Sequence, residues 1–207
     1  RKFHQAWLLM DREEEADDNA EHLYRHILHA GMPVNAWFVL NRQSPDWPRL
    51  LAEGFRLIEF GSVEHALALL NAEHVVSSHI NPKIPNFLPT EPFQDCLTFS
   101  FTYLRHGVSE KDSSAFLNGF PIEAIATAAE PEAMAIAGDA NAYKFSRREV
   151  PMVTGFPRHD RLLKLQSTRP DCILFMPTWR QHLVQPDAAR SLAQQQEAFL
   201  ASTYCLA

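Results

Sequence analysis

The residue whose type and position most favour chemistry is His106, in the segment Leu104-Arg105-His106-Gly107. It follows a run rich in Thr, Phe and Tyr at residues 97–104 and precedes a glycine, whose missing side chain allows a ligand to approach closely. An imidazole titrates near neutral pH and can therefore take a proton from a hydroxyl group. A turn histidine held by the backbone is the alternative interpretation, and position alone does not separate the two.

Two later loops contain residues that could hold an anion. In Thr154-Gly155-Phe156-Pro157-Arg158, Gly155 permits a tight turn and Pro157 fits a first helical position. Helix N-termini bind phosphate readily, and Arg158 adds a positive charge. In Pro177-Thr178-Trp179-Arg180, Arg180 stands at a predicted strand end. The alternatives are a locally capped strand-to-helix turn and a surface arginine beside a packing tryptophan.

Histidines and carboxylates elsewhere are weaker candidates. Residues 11–18 include six acidic side chains, but acidic residues before a helix complement its positive N-terminal end, so we predict no metal site there. His22, His26 and His29 share one helix face, and because the apolar residues lie on another face we expect these histidines to point to solvent. His79 follows a predicted strand end and could line a ligand site or be structural.

The chemistry must be positioned by alternating strands and helices. Strand-like runs occur at residues 6–10, 34–40, 55–58, 74–78, 97–104, 122–127, 151–153 and 172–176, with a proline-rich loop at residues 81–92. Helix-like segments occur at residues 18–29, 45–52, 63–71, 130–137, 158–166 and 188–206, with Asp17 or Asp18 and Ser62 as caps. This alternation predicts an α/β fold, a parallel sheet with helices on both faces. Ligands of such sheets bind in loops beyond the carboxyl ends of the strands.

Composition narrows the function classes. The 207 residues are 46% apolar and 21% charged, which is typical of an ordered globular protein. The net charge of -6 argues against nucleic acid or anionic lipid as a general partner. Three scattered cysteines suggest neither a disulfide framework nor a zinc site, and a reducing cytoplasm fits them best. The chain starts without Met and ends within a helix-like pattern, so we expect a piece of a longer protein.

Several segments together resemble the CDP-glycerol glycerophosphotransferase family, whose members build teichoic acid and capsule chains. The resemblance rests on Asp11-Arg12, Ala16-Asp17-Asp18-Asn19-Ala20, Leu104-Arg105-His106-Gly107-Val108 with Lys111-Asp112, Tyr143-Lys144-Phe145, Val153-Thr154-Gly155-Phe156-Pro157-Arg158 and Met176-Pro177-Thr178-Trp179-Arg180. Each segment alone is weakly specific, whereas their order along nearly the whole chain is more so. The family usually has Gln before the histidine, so Arg105 is a departure that bears on acceptor choice or loop geometry.

The resemblance implies a GT-B-like enzyme of two Rossmann-like domains. Residues 1–167 would form the acceptor-side domain, and residues 168–207 would begin a nucleotide-binding domain. The implied reaction transfers glycerol phosphate, or a related polyol phosphate, from a CDP-linked donor to the hydroxyl end of a lipid-linked polymer and releases CMP. It implies a cytoplasmic location at the inner face of the membrane with peripheral contact, and no metal or other cofactor.

On this interpretation His106 is the catalytic base. Contacts with substrate are expected from six residues: Asp18, Asn19, His79, Arg105, Gly107 and Asp112. Contacts with phosphate are expected from Gly155, Arg158 and Arg180. Two alternatives stay open: a nucleotide-sugar glycosyltransferase or sugar-phosphate capsule polymerase of the same architecture, and a non-catalytic domain that binds an anionic polymer.

Overall fold

The computed structural model describes residues 2–108, 112–138, 142–145, 150–165 and 191–201. The chain divides into two compact units, Arg1–Gln166 and Ser167–Ala207. The first contains the sheet and every described residue of the predicted site. The strand predicted at residues 172–176 and the predicted phosphate ligand Arg180 lie outside the described residues, as do Ser109, Glu110 and Lys111.

The first unit is built on one seven-stranded sheet in which every pair of neighbouring strands is parallel. The strand order is β3-β2-β1-β4-β5-β6-β7. The strands are β1 (Ala6–Met10), β2 (Asn35–Leu40), β3 (Leu57–Glu59), β4 (Ala72–Ser77), β5 (Ser100–Tyr103), β6 (Ile122–Thr127) and β7 (Pro151–Val153). The predicted α/β class with a parallel sheet is therefore confirmed.

The strands are apolar on both sides because both faces of the sheet are covered. Along β1, Leu8 and Met10 belong to one buried cluster, whereas Leu9 between them belongs to the other. In β4, Val75 and Val76 divide between the two clusters in the same way. Successive side chains of a strand point to opposite faces, so a continuous apolar run is what a doubly covered sheet requires.

Eight described helices accompany the sheet. In the first unit they are α1 (Asn19–His29), α2 (Trp47–Ala52), α3 (Val63–Leu69), α4 (Thr90–Phe93), α5 (Ser114–Leu117), α6 (Glu130–Ala137) and α7 (Pro157–Lys164), and the second unit contains α8 (Leu192–Leu200). Helices α1 and α2 bury side chains in one cluster, and α3, α5 and α6 bury theirs in the other. The predicted covering of both faces is confirmed.

Two short helices were not predicted, and several strands have bounds that differ from prediction by up to three residues. Helices α4 and α5 have four residues each, little more than one turn, so no apolar period repeats in them. Strand β5 begins at Ser100, three residues later than predicted. Of the two caps predicted for α1, Asp17 and Asp18, the structure has Asp18, and the predicted cap Ser62 of α3 is confirmed. Each side chain accepts a hydrogen bond from a backbone N–H at its helix start.

Among the described residues, no helix combines the length and apolar character needed to cross a bilayer.

In the second unit, Ser191 and Gln194 form a reciprocal capping box at the start of α8.

A buried ion network fixes α1 against α2. The side chain of Glu21 is fully buried, and its carboxylate accepts hydrogen bonds from Arg25 at 2.5 Å and from Arg49 at 2.7 and 2.9 Å. Arg49 also pairs with Asp46, and both arginines contact the exposed residue Glu53. Burial raises the pKa of Glu21, but the arginines outweigh it and lower the pKa to about 2. Glu21 is therefore ionised at neutral pH.

We predict that Glu21→Gln lowers the free energy of unfolding by about 2 kcal/mol at pH 7, because two charge-assisted hydrogen-bond partners lose their carboxylate. The folded-state pKa lies below its ordinary value of 4.5, so this contribution is present above pH 4.5 and is lost as pH falls toward 2. Urea unfolding between pH 3 and 7 measures both effects. Glu53→Gln, which removes a more exposed partner of the same arginines, should cost less than about 1 kcal/mol. An equal loss in both variants would contradict the prediction.

Candidate active site

The strand register brings three chain segments together at the carboxyl edge of the sheet. Met10 of β1 is paired with Ser77 of β4, and Ser77 is paired with Tyr103 of β5. The three strands therefore end side by side, and His79 and His106 follow within three residues. The boundary between β1 and β4 is also where the strand order reverses, which is where parallel α/β sheets form their ligand crevice.

Asp11, the first residue after β1, occupies the N-terminus of α1. Its buried carboxylate accepts backbone N–H bonds from Asp18 at 3.0 Å, Ala20 at 2.9 Å and Glu21 at 3.2 Å, and a bond from the Ser78 hydroxyl at 2.5 Å. Burial raises the pKa of Asp11 to about 6, against the effect of these donors. A helix N-terminus is a ready anion site, and here the protein's own carboxylate fills it.

Asp18 caps α1, and its carboxylate also contacts both Arg158 and His79. Its Oδ1 accepts a hydrogen bond from Nη1 of Arg158 at 2.8 Å, and its Oδ2 lies 3.1 Å from Nε2 of His79. Burial raises the pKa of Asp18, but the His79 bond, the Asn19 backbone N–H and the Arg158 charge together lower it below its ordinary value. The predicted site residues Asp18, His79 and Arg158 are thus in direct contact.

His79 and His106 form a stacked pair. Their ring centroids are 4.5 Å apart and the planes differ by 8°. Nε of Arg12 lies 3.2 Å from Nε2 of His79, and its guanidinium also pairs with Glu15. Two imidazoles that come from different strand ends therefore share one face-to-face contact beside a carboxylate and a guanidinium.

His106 combines exposure with the electronic properties of a base. The residue is exposed, its backbone carbonyl accepts a bond from Nη2 of Arg158 at 2.6 Å, and its ring is hydrogen-bonded to the backbone of Ser78. Burial of the ring, followed by the charge of His79, lowers the pKa of His106. A neutral imidazole that donates through one nitrogen has a lone pair on the other, and that lone pair can accept a proton.

Asn19 joins the histidine loop to α7. Its buried amide donates from Nδ2 to the carbonyl of Arg105 at 2.7 Å and accepts at Oδ1 from the backbone N–H of Arg158 at 3.1 Å. The Asn19 side chain therefore provides hydrogen-bond partners for the carbonyl of Arg105 and for a backbone N–H in the first turn of α7, which has no acceptor within the helix. The expectation that Asn19 contacts the substrate is untested, and both its polar atoms already have protein partners.

Arg105 is turned away from the histidine pair. Its guanidinium forms a salt bridge with Glu132 at 2.7 Å, and the two side chains are only 8% and 9% exposed. Its φ of +62° is in the left-handed region, which costs a non-glycine residue about 1–2 kcal/mol. The salt bridge and the Asn19 bond stabilise this turn. The predicted substrate contact of Arg105 is untested, and the geometry instead favours a role in shaping the loop.

The remaining predicted residues lie at different distances from the cluster. A Cβ at Gly107 would meet Nη2 of Arg158 at 3.9 Å, an ordinary contact, so this unit gives no steric reason for a glycine there. Asp112 is exposed and accepts the backbone N–H of Ser114 at the start of α5, which lowers its pKa. Gly155 has a φ of +69° and turns the chain from β7 into α7, as predicted from its conformational freedom.

The predicted phosphate-binding position at the start of α7 already has a protein partner, because Arg158 donates its backbone N–H to Asn19.

The solvent exposure predicted for the α1 histidines is correct for His26 and His29 only. The His22 ring is 8% exposed and lies between Asp17 and Arg25.

Other surfaces contribute less chemistry. A groove of about 400 Å³ at the amino ends of β1, β4 and β5, the opposite edge from the histidine pair, is lined by eight residues: His4, Gln5, Asn71, Ala72, Glu73, His74, Thr98 and Ser100. Within the described ranges, no three His, Cys, Asp or Glu side chains are arranged to hold a metal ion.

Sequence reasoning left four site residues unassigned: Asp11, Arg12, Ser78 and Glu132. The position of Asp11 and Arg12 directly after β1, the strand next to the crevice, was a usable signal for those two. Ser78 and Glu132 act through contacts across 67 and 27 residues respectively, which no local pattern reveals.

Comparisons with known proteins show to which family and fold the chain is similar. Residues 2–203 match the model of the family described as CDP-glycerol:poly(glycerophosphate) glycerophosphotransferase. The chain is 34% identical over 204 residues to the minor teichoic acid biosynthesis protein GgaB of Bacillus subtilis (strain 168), covering 96% of this chain and 22% of GgaB. The chain therefore spans about a fifth of the length of this relative.

The fold is similar to that of the wall teichoic acid polymerase TagF. One TagF structure superimposes with a TM-score of 0.51 at 12% identity, covering 77% of this chain and 40% of that one. A TagF variant soaked with CDPG gives a TM-score of 0.52 at 12% identity, covering 76% and 41%. At this level of identity the likeness establishes the fold alone.

We predict that Asn19→Ala lowers the free energy of unfolding by about 2–4 kcal/mol, since it leaves a buried carbonyl and a helix N–H without their partner. Asn118→Ala is the matched control, because Asn118 also bridges two backbone groups, Ala142 and Lys144, through its amide but is less buried. Its loss should stay near 1 kcal/mol. Urea unfolding of both variants decides the matter, and a smaller loss for Asn19→Ala than for Asn118→Ala would refute the bridging role.

Proposed function

Because the chain belongs to the CDP-glycerol:poly(glycerophosphate) glycerophosphotransferase family, we propose that it supplies the acceptor side of an enzyme that extends a teichoic-acid-like polymer. The enzyme transfers glycerol phosphate, or a related polyol phosphate, from a CDP-linked donor to the hydroxyl end of the growing chain. Residues 1–167 form the acceptor-side domain, and residues 168–207 begin the domain that binds the nucleotide.

In this reaction the acceptor hydroxyl oxygen attacks the phosphorus that carries the glycerol. A new P–O bond forms, the P–O bond to CMP breaks, and CMP leaves with the bonding electron pair. The hydroxyl proton passes to a ring nitrogen of His106. Proton transfer of this kind contributes about 10² to 10⁴ in rate, and the remaining barrier is lowered by alignment and by positive groups around the phosphates.

The observation that carries the proposal is the state of His106 at the crevice of the sheet. Its ring lies against His79 and is hydrogen-bonded to the Ser78 backbone, and its pKa is lowered by burial first. The residue is nevertheless exposed to an incoming hydroxyl. A neutral, oriented imidazole at a strand end is what a general base requires.

The N-terminus of α1 supports the acceptor-side assignment. In dinucleotide-binding sheets the helix after β1 receives the phosphates, whereas here Asp11 accepts the N–H groups of Asp18, Ala20 and Glu21. A nucleotide diphosphate would have to displace a buried carboxylate. We therefore place the donor nucleotide outside residues 1–166.

Phosphate contacts would come from the guanidinium groups beside the histidines. Arg158 and Arg12 both lie at the cluster, although each is paired with a carboxylate, Asp18 and Glu15 respectively. An incoming phosphate would compete for these arginines. Arg180 is proposed as a further phosphate ligand on the basis of the family resemblance.

The acceptor in this proposal is a lipid-linked polymer, so the enzyme works in the cytoplasm at the inner face of the membrane, as a peripheral protein. The name of GgaB, a teichoic acid biosynthesis protein, supports a cell-wall polymer as the product.

We predict that His106→Ala in the full-length protein lowers the rate of CMP release from CDP-glycerol by about 10²-fold or more, because the hydroxyl loses its proton acceptor. His29→Ala, which removes an exposed histidine at the far end of α1, should leave the rate unchanged. Coupled detection of CMP with a polymer acceptor measures both. Wild-type turnover in His106→Ala would exclude this residue as the base. Parallel assays with CDP-ribitol and UDP-sugars identify the donor, and release from a UDP-sugar alone would replace the proposal with a glycosyltransferase.

We also predict that residues 1–207 alone release no CMP and bind CDP-glycerol too weakly to detect, because the N-terminus of α1 is already occupied by Asp11. Isothermal titration calorimetry with CDP-glycerol and CMP tests the binding. Transfer of glycerol phosphate by this chain on its own would overturn the division into acceptor and donor domains.

A further inference from the structure

His79 lies between groups of opposite charge. Its Nε2 is 3.1 Å from a carboxylate oxygen of Asp18 and 3.2 Å from Nε of Arg12. Nε2 cannot donate to Asp18 and accept from Arg12 at once. With a proton on Nε2 the ring pairs with Asp18, and with a lone pair there it pairs with Arg12.

His106 stacks on the ring of His79. The two rings are nearly parallel, so the plane of His106 is set by a neighbour that is itself anchored at Asp18. His106 has a second anchor at the Ser78 backbone, in the same loop as His79. The orientation of the base is therefore determined by the loop after β4 as well as by its own loop after β5.

We propose that His79 is a positioning residue for His106: stacked on its ring and anchored by Asp18, it fixes the orientation of the base and adjusts its affinity for the proton. This inference rests on the proposed function, in which His106 accepts the proton of the acceptor hydroxyl. His79 acts through His106 and need not touch the substrate.

The charges around the two rings set the direction in which each substitution should change the pKa of His106. Asp18, the cap of α1, favours a proton on His106, whereas His79 and Arg12 disfavour it. Arg158, on α7, is paired with Asp18 and bonded to the His106 carbonyl, so it holds the carboxylate in place. Removing His79 should therefore raise the pKa of His106, and removing the charge of Asp18 should lower it.

The direct test is an NMR titration of the histidine Cε1–H signals in the 207-residue chain. In His79→Phe, which retains an aromatic ring for stacking, the His106 midpoint should shift to higher pH, and in Asp18→Asn to lower pH. His74→Phe is the matched control, because His74 also contacts an aromatic ring, Trp7 at 4.6 Å, but at the other end of β4. It should leave the His106 midpoint unchanged. An unshifted midpoint in His79→Phe overturns the proposal, whatever the activity.

The second arm measures CMP release in the full-length protein as a function of pH. His79→Ala should lower kcat by about 10²-fold with little change in KM, since misplacing a reacting group by an ångström costs about that much. His79→Phe should shift the acid limb of the kcat/KM profile to higher pH. If His79→Phe matches the wild type in kcat and in pH profile, the residue only fills space and the proposal is wrong. Thermal unfolding of each variant confirms that it is folded.

The two arms separate the two hypotheses. If the His106 midpoint shifts in the variants but the wild-type full-length protein releases no CMP, the proposed function and the catalytic purpose of His79 are refuted. The coupling of the two rings would then still stand. Normal CMP release with unshifted midpoints would refute only the positioning role.

Discussion

The buried carboxylate of Asp11 is the constraint on which the site depends. It comes directly after β1 and receives three backbone N–H groups from the start of α1 and the Ser78 hydroxyl from the loop after β4. A buried carboxylate without donors would be strongly destabilising, so α1 and the β4 loop must meet it in this arrangement. That requirement places Asp18 and Asn19 at the crevice, where their side chains contact the other segments of the site.

From the start of α1 the interactions extend to both other segments of the site. Asp18 attracts His79 and Arg158, and Asn19 bridges the Arg105 carbonyl and the Arg158 backbone N–H. Among the described residues, the two arginines beside the histidines each have a carboxylate partner, Glu15 for Arg12 and Asp18 for Arg158. Each of these guanidinium groups therefore approaches the histidines already paired with a carboxylate.

The histidine loop shows how a local departure can be structural. The left-handed backbone of Arg105 is unfavourable for any residue other than glycine, yet it directs His106 toward the crevice. Its side chain reaches Glu132 at the start of α6 and is buried there. The charged end of Arg105 therefore serves a contact within the protein. Both the backbone conformation and the salt bridge of Arg105 contribute to the geometry of this loop.

The alternation of strands and helices, the cap at Ser62, the turn at Gly155 and the choice of His106 as a candidate base could be predicted from the sequence, because these depend on residues close together in the chain. The cap of α1 was narrowed to Asp17 or Asp18, and the structure assigns it to Asp18. Strand β6, helix α6 and strand β7 have the predicted bounds. The four-residue helices escaped prediction because they make little more than one turn, in which an apolar pattern of 3.6-residue period cannot repeat. Three contacts could be known only from the folded chain: Asp11 at the N-terminus of α1, Arg105 with Glu132, and His79 stacked on His106. These contacts join residues that parallel pairing of distant strands brings together, and no local sequence pattern specifies which partner a side chain will meet there.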